Sequence, residues 1–314
     1  MNLNFNNIWV EKYRPKSLED FVISDDNKRI IESFLQKKEI PNLLFTGTPG
    51  IGKTSLAKII VNDILQCQYL YINASDENGI DTIRTKVTSF AQTRSFDGKI
   101  KVIVLDETDG LTIDGQRALR NTMEEYSKIT RFILTANYKH KIITALQSRC
   151  QSIDLVPPLA GVAKRCLYIL KNEGVTVSED DKSKLVHLVK AFYPDLRKCI
   201  NELHKASSSG KLSIIENKTN DVLELILTNI KSKNVLSLRK SLIENEQKFN
   251  SDYVNLLRGL FNFIDEKSYN ETELNFELKK KYLLIIAEHL YRSAFVVDQE
   301  INCYSCFIQL SDTT

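Results

Sequence analysis

Between residues 42 and 155 the chain alternates two hydrophobic patterns. Residues 43–46, 69–73, 101–105, 131–136 and 152–155 are short runs rich in apolar and β-branched side chains, the pattern of strands with both faces covered. Between them, residues 53–65, 80–93 and 115–126 place apolar side chains three and four apart, as one stripe of a helix requires. Strands alternating with helices predict an α/β fold with a mostly parallel sheet covered on both faces.

Val156-Pro157-Pro158 ends that rhythm, because proline cannot donate to a strand ladder and restricts the residue before it. The segments 160–171, 178–192 and 194–207 then read as helices, with Ser178 as an N-cap ahead of acidic residues. Ser207-Ser208-Ser209-Gly210 has linker composition. Beyond it 221–230, 235–242, 253–264 and 274–291 carry amphipathic helical spacing. Three units are therefore expected, at 1–156, 157–210 and 211–314.

Composition adds limits. In 314 residues, 42% hydrophobic and 26% charged content is ordinary for a globular chain and excludes collagen-like, disordered and membrane-spanning classes. A net charge of +3 does not point to nucleic acid unless the basic residues cluster. Six cysteines and an opening without a basic, apolar leader fit reduced thiols in a cytoplasmic setting. Cys303 and Cys306 have CxxC spacing, but zinc needs about four ligands, so they read as thiols on a C-terminal helix.

The candidate chemistry starts at Gly47-Thr48-Pro49-Gly50-Ile51-Gly52-Lys53-Thr54, which fits GxxxxGK[ST] between an expected strand and an expected helix. The glycines let backbone N–H groups curl around phosphate, and the helix that follows presents the positive end of its dipole. Lys53 is placed to reach the β and γ phosphates, and the Thr54 hydroxyl to bind Mg²⁺. Residues 102–105 then deliver Asp106 and Glu107 to a strand end, where ligands collect in open α/β sheets. Asp106 suits the metal and its water shell; Glu107 suits a general base for water. Asn137, at the end of the following strand, is either a turn former or an amide aimed at the attacking water.

With these parts in order the chain resembles the AAA+ clamp-loader ATPases over nearly its full length. Glu11-Lys12-Tyr13-Arg14-Pro15 looks like the segment that lies against adenine in replication-factor-C small subunits. The resemblance makes Val10, Glu11, Lys12, Tyr13 and Val22 the adenine-side residues and Gly50, Ile51, Gly52, Lys53, Thr54 and Ser55 the phosphate-side ones. Ser148-Arg149-Cys150 resembles the family's SRC motif, implying that Arg149 acts in a neighbouring subunit's ATP site. Pro194-Asp195-Leu196-Arg197 resembles the second sensor, which places Arg197 on its own subunit's phosphates. The stretch from Gly79 to Arg84 resembles the start of the helix that tracks DNA, where Arg84 is either a phosphate contact or a solvated arginine. Gln116 and Arg117 are weaker candidates for relaying DNA binding to the ATP site.

Ser95-Phe96-Asp97-Gly98 and the compact length look most like the large subunit of T4-type bacteriophage clamp loaders. That resemblance implies ATP and Mg²⁺ as cofactors and a nucleotide-binding domain followed by a helical lid and a helical collar. As partners it implies further copies of the chain, a small non-ATPase subunit, a sliding clamp and primer-template DNA, with no membrane and a host-cell cytoplasmic location if the source is viral. The acidic motif reads Asp106-Glu107-Thr108-Asp109 where the family more often has DEAD, and keeps both leading acids. Another AAA+ motor, such as a branch-migration helicase or helicase loader, is one rival. Against an unfoldase, residues 75–80 lack an aromatic-glycine pore loop. A non-hydrolysing ATP-gated DNA-binding module is the other rival, and it would have no use for Glu107, Asn137 and Arg149 together.

Overall fold

A computed structural model describes residues 8–95, 98–207, 212, 219–249, 251–266 and 275–313. Phe96, Asp97, residues 208–210 of the expected linker and Leu274, the expected start of one helix, lie outside them. The chain divides into two compact units, Met1–Ile214 and Ile215–Thr314.

The first unit begins with helices α1 (Trp9–Lys12) and α2 (Asp25–Lys37). Strands β1 (Leu43–Thr46) and β2 (Tyr69–Asn73) are joined by α3 (Lys53–Ile59), which continues into a π turn (Ile60–Ile64). Between β2 and β3 (Lys101–Asp106) runs α4, built from Ile80–Thr82, a π turn (Ile83–Val87) and Thr88–Gln92. Helix α5 (Ile113–Glu125) leads to β4 (Thr130–Ala136), and α6 (Thr144–Gln147) to β5 (Gln151–Asp154). All paired strands are parallel, in the order β2-β3-β4-β1-β5.

The central strands β1, β3 and β4 are apolar along nearly their whole length because they bury both faces, while the edge strands β2 and β5 are partly exposed. Leu43 and Phe45 of β1 pack with Val102, Val104 and Ile133 against α2 and α3. Leu44, between them, packs with Ile103, Leu105, Phe132 and Leu134 against α4, α5 and α6. Each fully buried side chain of this size contributes about 1.5–3 kcal/mol over an exposed one. Helix α2 was not among the expected elements. Its signal is Ser24, whose hydroxyl accepts the Asn27 N–H at 3.5 Å, ahead of an apolar stripe of Ile30, Ile31 and Phe34.

Three further helices complete this unit: α7 (Leu159–Asn172), α8 (Glu179–Phe192) and α9 (Leu196–Ala206). Ser178 caps α8 in a reciprocal box with Asp181. Trp9 joins the core of these helices and stacks on His204 at 4.6 Å, so the N-terminal segment is built into the lid.

The second unit holds α10 (Thr219–Lys231), α11 (Val235–Glu244), α12 (Tyr253–Glu266), α13 (Phe276–Arg292) and α14 (Gln299–Thr313). Tyr253, Leu256, Leu257, Leu260, Phe263 and Ile264, spaced three and four apart on α12, feed one core with Tyr282, Ile286 and Phe307. Cys303 and Cys306 are free thiols buried in that core. Burial holds Cys303 well above the usual thiol range and pushes Cys306 up to about 12.

Candidate nucleotide site

The loop from Gly47 to Thr54 follows β1 and opens α3. Gly47, Gly50 and Gly52 have φ of 139°, 79° and 98°, a left-handed backbone that side chains other than glycine rarely adopt. A Cβ on Gly50 would fall 1.8 Å from Asp195 Oδ1 and one on Gly52 2.8 Å from Phe21, so lid and N-terminal segment both press on the loop. The Arg197 N–H donates to Gly50 O at 3.2 Å, while Asp195 caps α9 by accepting the Lys198 N–H.

Lys53 is 8% exposed, and its Nζ donates to the carbonyls of Gly47 and Thr48, both at 2.8 Å. Burial brings this lysine down to about 8; Asp106, Asp109 and Glu107 oppose the change, and the charge of Arg197 adds to it.

Asp106 ends β3 and is gripped from both neighbouring strands and from α3. Its Oδ1 accepts the hydroxyls of Thr54 at 2.9 Å and Thr135 at 2.6 Å; its Oδ2 accepts Thr54 at 2.8 Å and Tyr71 at 2.7 Å. Thr135 also accepts the Glu107 N–H at 2.9 Å. Burial and the Asp106 carboxylate raise the Tyr71 phenol above its ordinary range, keeping it a donor. Glu107 itself is exposed and has φ 54°, a turn that carries its carboxylate off the strand direction. One hydroxyl and one carboxylate in contact beside a glycine loop fit a hard divalent cation with oxygen ligands.

Asn137, half-buried, leaves β4 beside this group, and its N–H donates to Asp109 Oδ2 at 3.2 Å. Gln116 is buried: it donates to Leu111 O and Lys141 O and accepts the Ile143 N–H, fixing the loop that leads to α6.

Val10, Tyr13 and Val22 pack on the lid core, and a Cβ on Gly161 would lie 2.9 Å from Val22. Glu11 pairs with Arg14 at 2.6 Å, and Ser55 is half-buried on the first turn of α3. Glu173 of the lid accepts Lys12 Nζ at 2.6 Å and the Tyr13 hydroxyl at 2.5 Å. Arg165 adds a bond to Tyr13 O at 3.1 Å. Arg84 sits exposed on the π turn of α4, lining a shallow groove with Arg117, Asp114 and Asn121.

Arg149 lies elsewhere. It lies two residues before Gln151, the first of β5, which is in register with Leu43, the first of β1. The phosphate loop follows the last residue of β1, so the two stand at opposite ends of the sheet, separated along the strands by roughly 13 Å at about 3.3 Å per residue. The Arg149 guanidinium donates to Ala145 O at 2.7 Å and pairs with the Glu124 carboxylate of α5.

Comparison with known proteins places the chain in a family. The family model described as ATPase family associated with various cellular activities matches residues 43–158, and the one for the sliding-clamp-loader large subunit, AAA+ ATPase lid domain, matches 160–214. The chain is 35% identical to the replication factor C small subunit of Thermofilum pendens over 97% of this chain and 96% of the relative. The chain belongs to the replication factor C small-subunit family of AAA ATPases. With the relative from Sulfurisphaera tokodaii it shares 36% identity over 99% and 97% of the two chains. The relative from Archaeoglobus fulgidus is 43% identical across a narrower match, 65% of each chain. Thermotoga maritima RuvB has the same fold, at a TM-score of 0.52 and 20% identity over 75% of this chain and 88% of that one. As an AAA ATPase of the replication factor C family, the chain binds and hydrolyses ATP. No helix among the described residues is long and apolar enough to cross a membrane.

Sequence patterns did not single out Tyr71, Thr135, Glu173 or Phe21 for this site. Asp195 lies within the motif that points to Arg197. Tyr71 and Thr135 lie in strands where hydroxyls look like ordinary β formers, and only the register brings them to Asp106.

Proposed function

We propose that this chain is an ATP-hydrolysing subunit of a sliding-clamp loader, which opens a ring-shaped clamp and places it on primer-template DNA together with other copies of itself and a small non-ATPase subunit. The observation that carries this reading is the placement of Arg149 at the opposite end of the sheet from Lys53 and Asp106. An arginine so placed serves no phosphate of its own subunit, but in a ring or spiral of copies it faces the next one.

In this reading the segment from Val10 to Tyr13 and Val22 hold the adenine, while Gly50, Ile51, Gly52, Thr54 and Ser55 cradle the phosphates. Lys53 exchanges its two carbonyl partners for phosphate oxygens. Thr54 and Asp106 hold Mg²⁺, which offsets charge on the transferred phosphoryl group. Glu107 takes a proton from the attacking water, Asn137 orients that water, and Arg197 contacts the phosphates from the lid. Arg149 stabilises charge in the neighbour's transition state. The groove containing Arg84 and Arg117 lies on the face assigned to the DNA backbone, and the Gln116 bonds join the first turn of α5 to the loop before Arg149. DNA and clamp stimulate turnover by aligning neighbouring subunits.

Pull-down tests the reading: the subunit assembly should retain a sliding clamp with ATP and release it with ADP. Equal retention with both nucleotides, or none with either, would remove clamp loading as the function.

A further inference from the structure

We propose that Tyr71 is a positioning residue for Asp106, and that its phenol sets the Mg²⁺ concentration at which the site works. The inference rests on the assignment of Asp106 as a metal-holding residue. Strand register brings the pair together: Asn73 lies opposite Asp106, and Tyr71, two residues earlier, shares its face of β2. The phenol donates to Asp106 Oδ2 at 2.7 Å.

The hydroxyls around Asp106 are divided in a way that gives Tyr71 a distinct task. Thr54 donates to both carboxylate oxygens, so it is the donor that has to turn away when its oxygen binds a cation. After that, Thr135 remains on Oδ1 and Tyr71 on Oδ2, one from each flanking strand. Two donors on different oxygens fix the plane of a carboxylate, whereas Thr135 alone leaves it free to rotate. Neutral hydroxyl donors also leave its negative charge intact for the metal. The ring is itself held in place by Lys58 of α3, whose Nζ lies 4.8 Å from its centroid. Tyr71 is 38% exposed, so its ring is not a core element on which folding depends. Outer partners of this kind are worth about 10- to 100-fold in metal affinity.

The test substitutes Tyr71→Phe in the full chain, which keeps the ring and removes only the hydroxyl. Two quantities are measured: Mn²⁺ affinity of the ADP-bound protein, from the spin-resonance signal of free Mn²⁺, and nucleotide affinity in excess chelator. The expected result is metal affinity lowered about 10-fold, with metal-free nucleotide affinity and melting temperature unchanged. The Mg²⁺ needed for half-maximal ATPase should rise by the same factor, and saturating Mg²⁺ should restore turnover. Asp106→Asn serves as the reference. Loss of metal affinity in Asp106→Asn but not in Tyr71→Phe overturns the role of Tyr71 and leaves the assignment of Asp106 standing. Unchanged metal affinity in Asp106→Asn overturns that assignment and the proposal with it. A Tyr71→Phe protein that loses metal affinity, metal-free nucleotide affinity and melting temperature together also overturns it, since the hydroxyl would then be a general structural bond.

Discussion

Asp109 holds Asn137 by the backbone: its Oδ2 accepts the N–H groups of Asn137 at 3.2 Å and of Tyr138 at 3.0 Å. The last acid of the motif that follows β3 thereby fixes the end of β4. Misplacing a group that orients the attacking water by about 1 Å costs about 10² in rate. Asp109→Ala should lower kcat by about that factor while ATP affinity changes little. Combined with Asn137→Ala it should add almost nothing, because both changes remove the same positioning. A multiplicative double mutant in steady-state kinetics would show that Asp109 acts independently of Asn137.

Lys53→Ala and Glu107→Gln should fail differently. The first removes the cation that the loop directs at phosphate, so nucleotide binding and ATP-dependent clamp retention are lost together. The second keeps the binding contacts and removes the proposed base, with kcat expected to fall by about 10²–10⁴. Nucleotide titration and single-turnover hydrolysis separate them; wild-type turnover in Glu107→Gln would refute the general-base assignment.

Burial lowers Lys53 to about 8, and phosphate favours the charged ammonium. Nucleotide affinity should therefore be level below pH 8 and decline above it, as the free protein loses the proton that binding requires. The limiting slope is about tenfold per pH unit. Arginine stays charged across this range, so Lys53→Arg should flatten the profile, whatever its absolute affinity. Calorimetry between pH 7 and 9.5 in buffers of different ionisation heat should detect the matching proton uptake.

Arg149→Ala should bind ATP and hydrolyse it slower by about 10³–10⁵. Mixed with Lys53→Ala under conditions of verified subunit exchange, it should regain partial activity. Some interfaces then pair an intact Lys53 with a neighbour's intact Arg149. Activity that never exceeds the sum of the separate mutants would mean that Arg149 acts within its own subunit.

Arg84→Ala should weaken primer-template binding similarly on every sequence. The slope of log affinity against log salt should shrink by about one if a single phosphate contact is lost. Unchanged affinity and slope would leave Arg84 a solvated arginine on the π turn of α4.

The sequence by itself determined what is encoded locally. Glycines that demand left-handed φ, a lysine and a threonine that open a helix, and two acids at the end of an apolar run specify the phosphate loop and its acidic pair within short windows. The central strands β1, β3 and β4 were legible because both faces of each are buried, which forces near-continuous apolar runs; the partly exposed edge strands β2 and β5 were legible by their place in the strand–helix alternation. Helix α2, marked only by Ser24 and its apolar stripe, precedes the first strand and falls outside the strand–helix alternation. Tertiary structure decided what depends on register and on elements far apart in the chain. The hydroxyls of Tyr71 and Thr135 converge on Asp106 only because β2 and β4 flank β3 in that alignment. Asp195 meets Gly50 because the lid folds back across 145 residues of chain, and Glu173 reaches Lys12 and Tyr13 by the same route. The side of the sheet on which Arg149 emerges follows from parallel pairing: β1 and β5 run the same way, so a residue just before one lies at the opposite end from a loop just after the other.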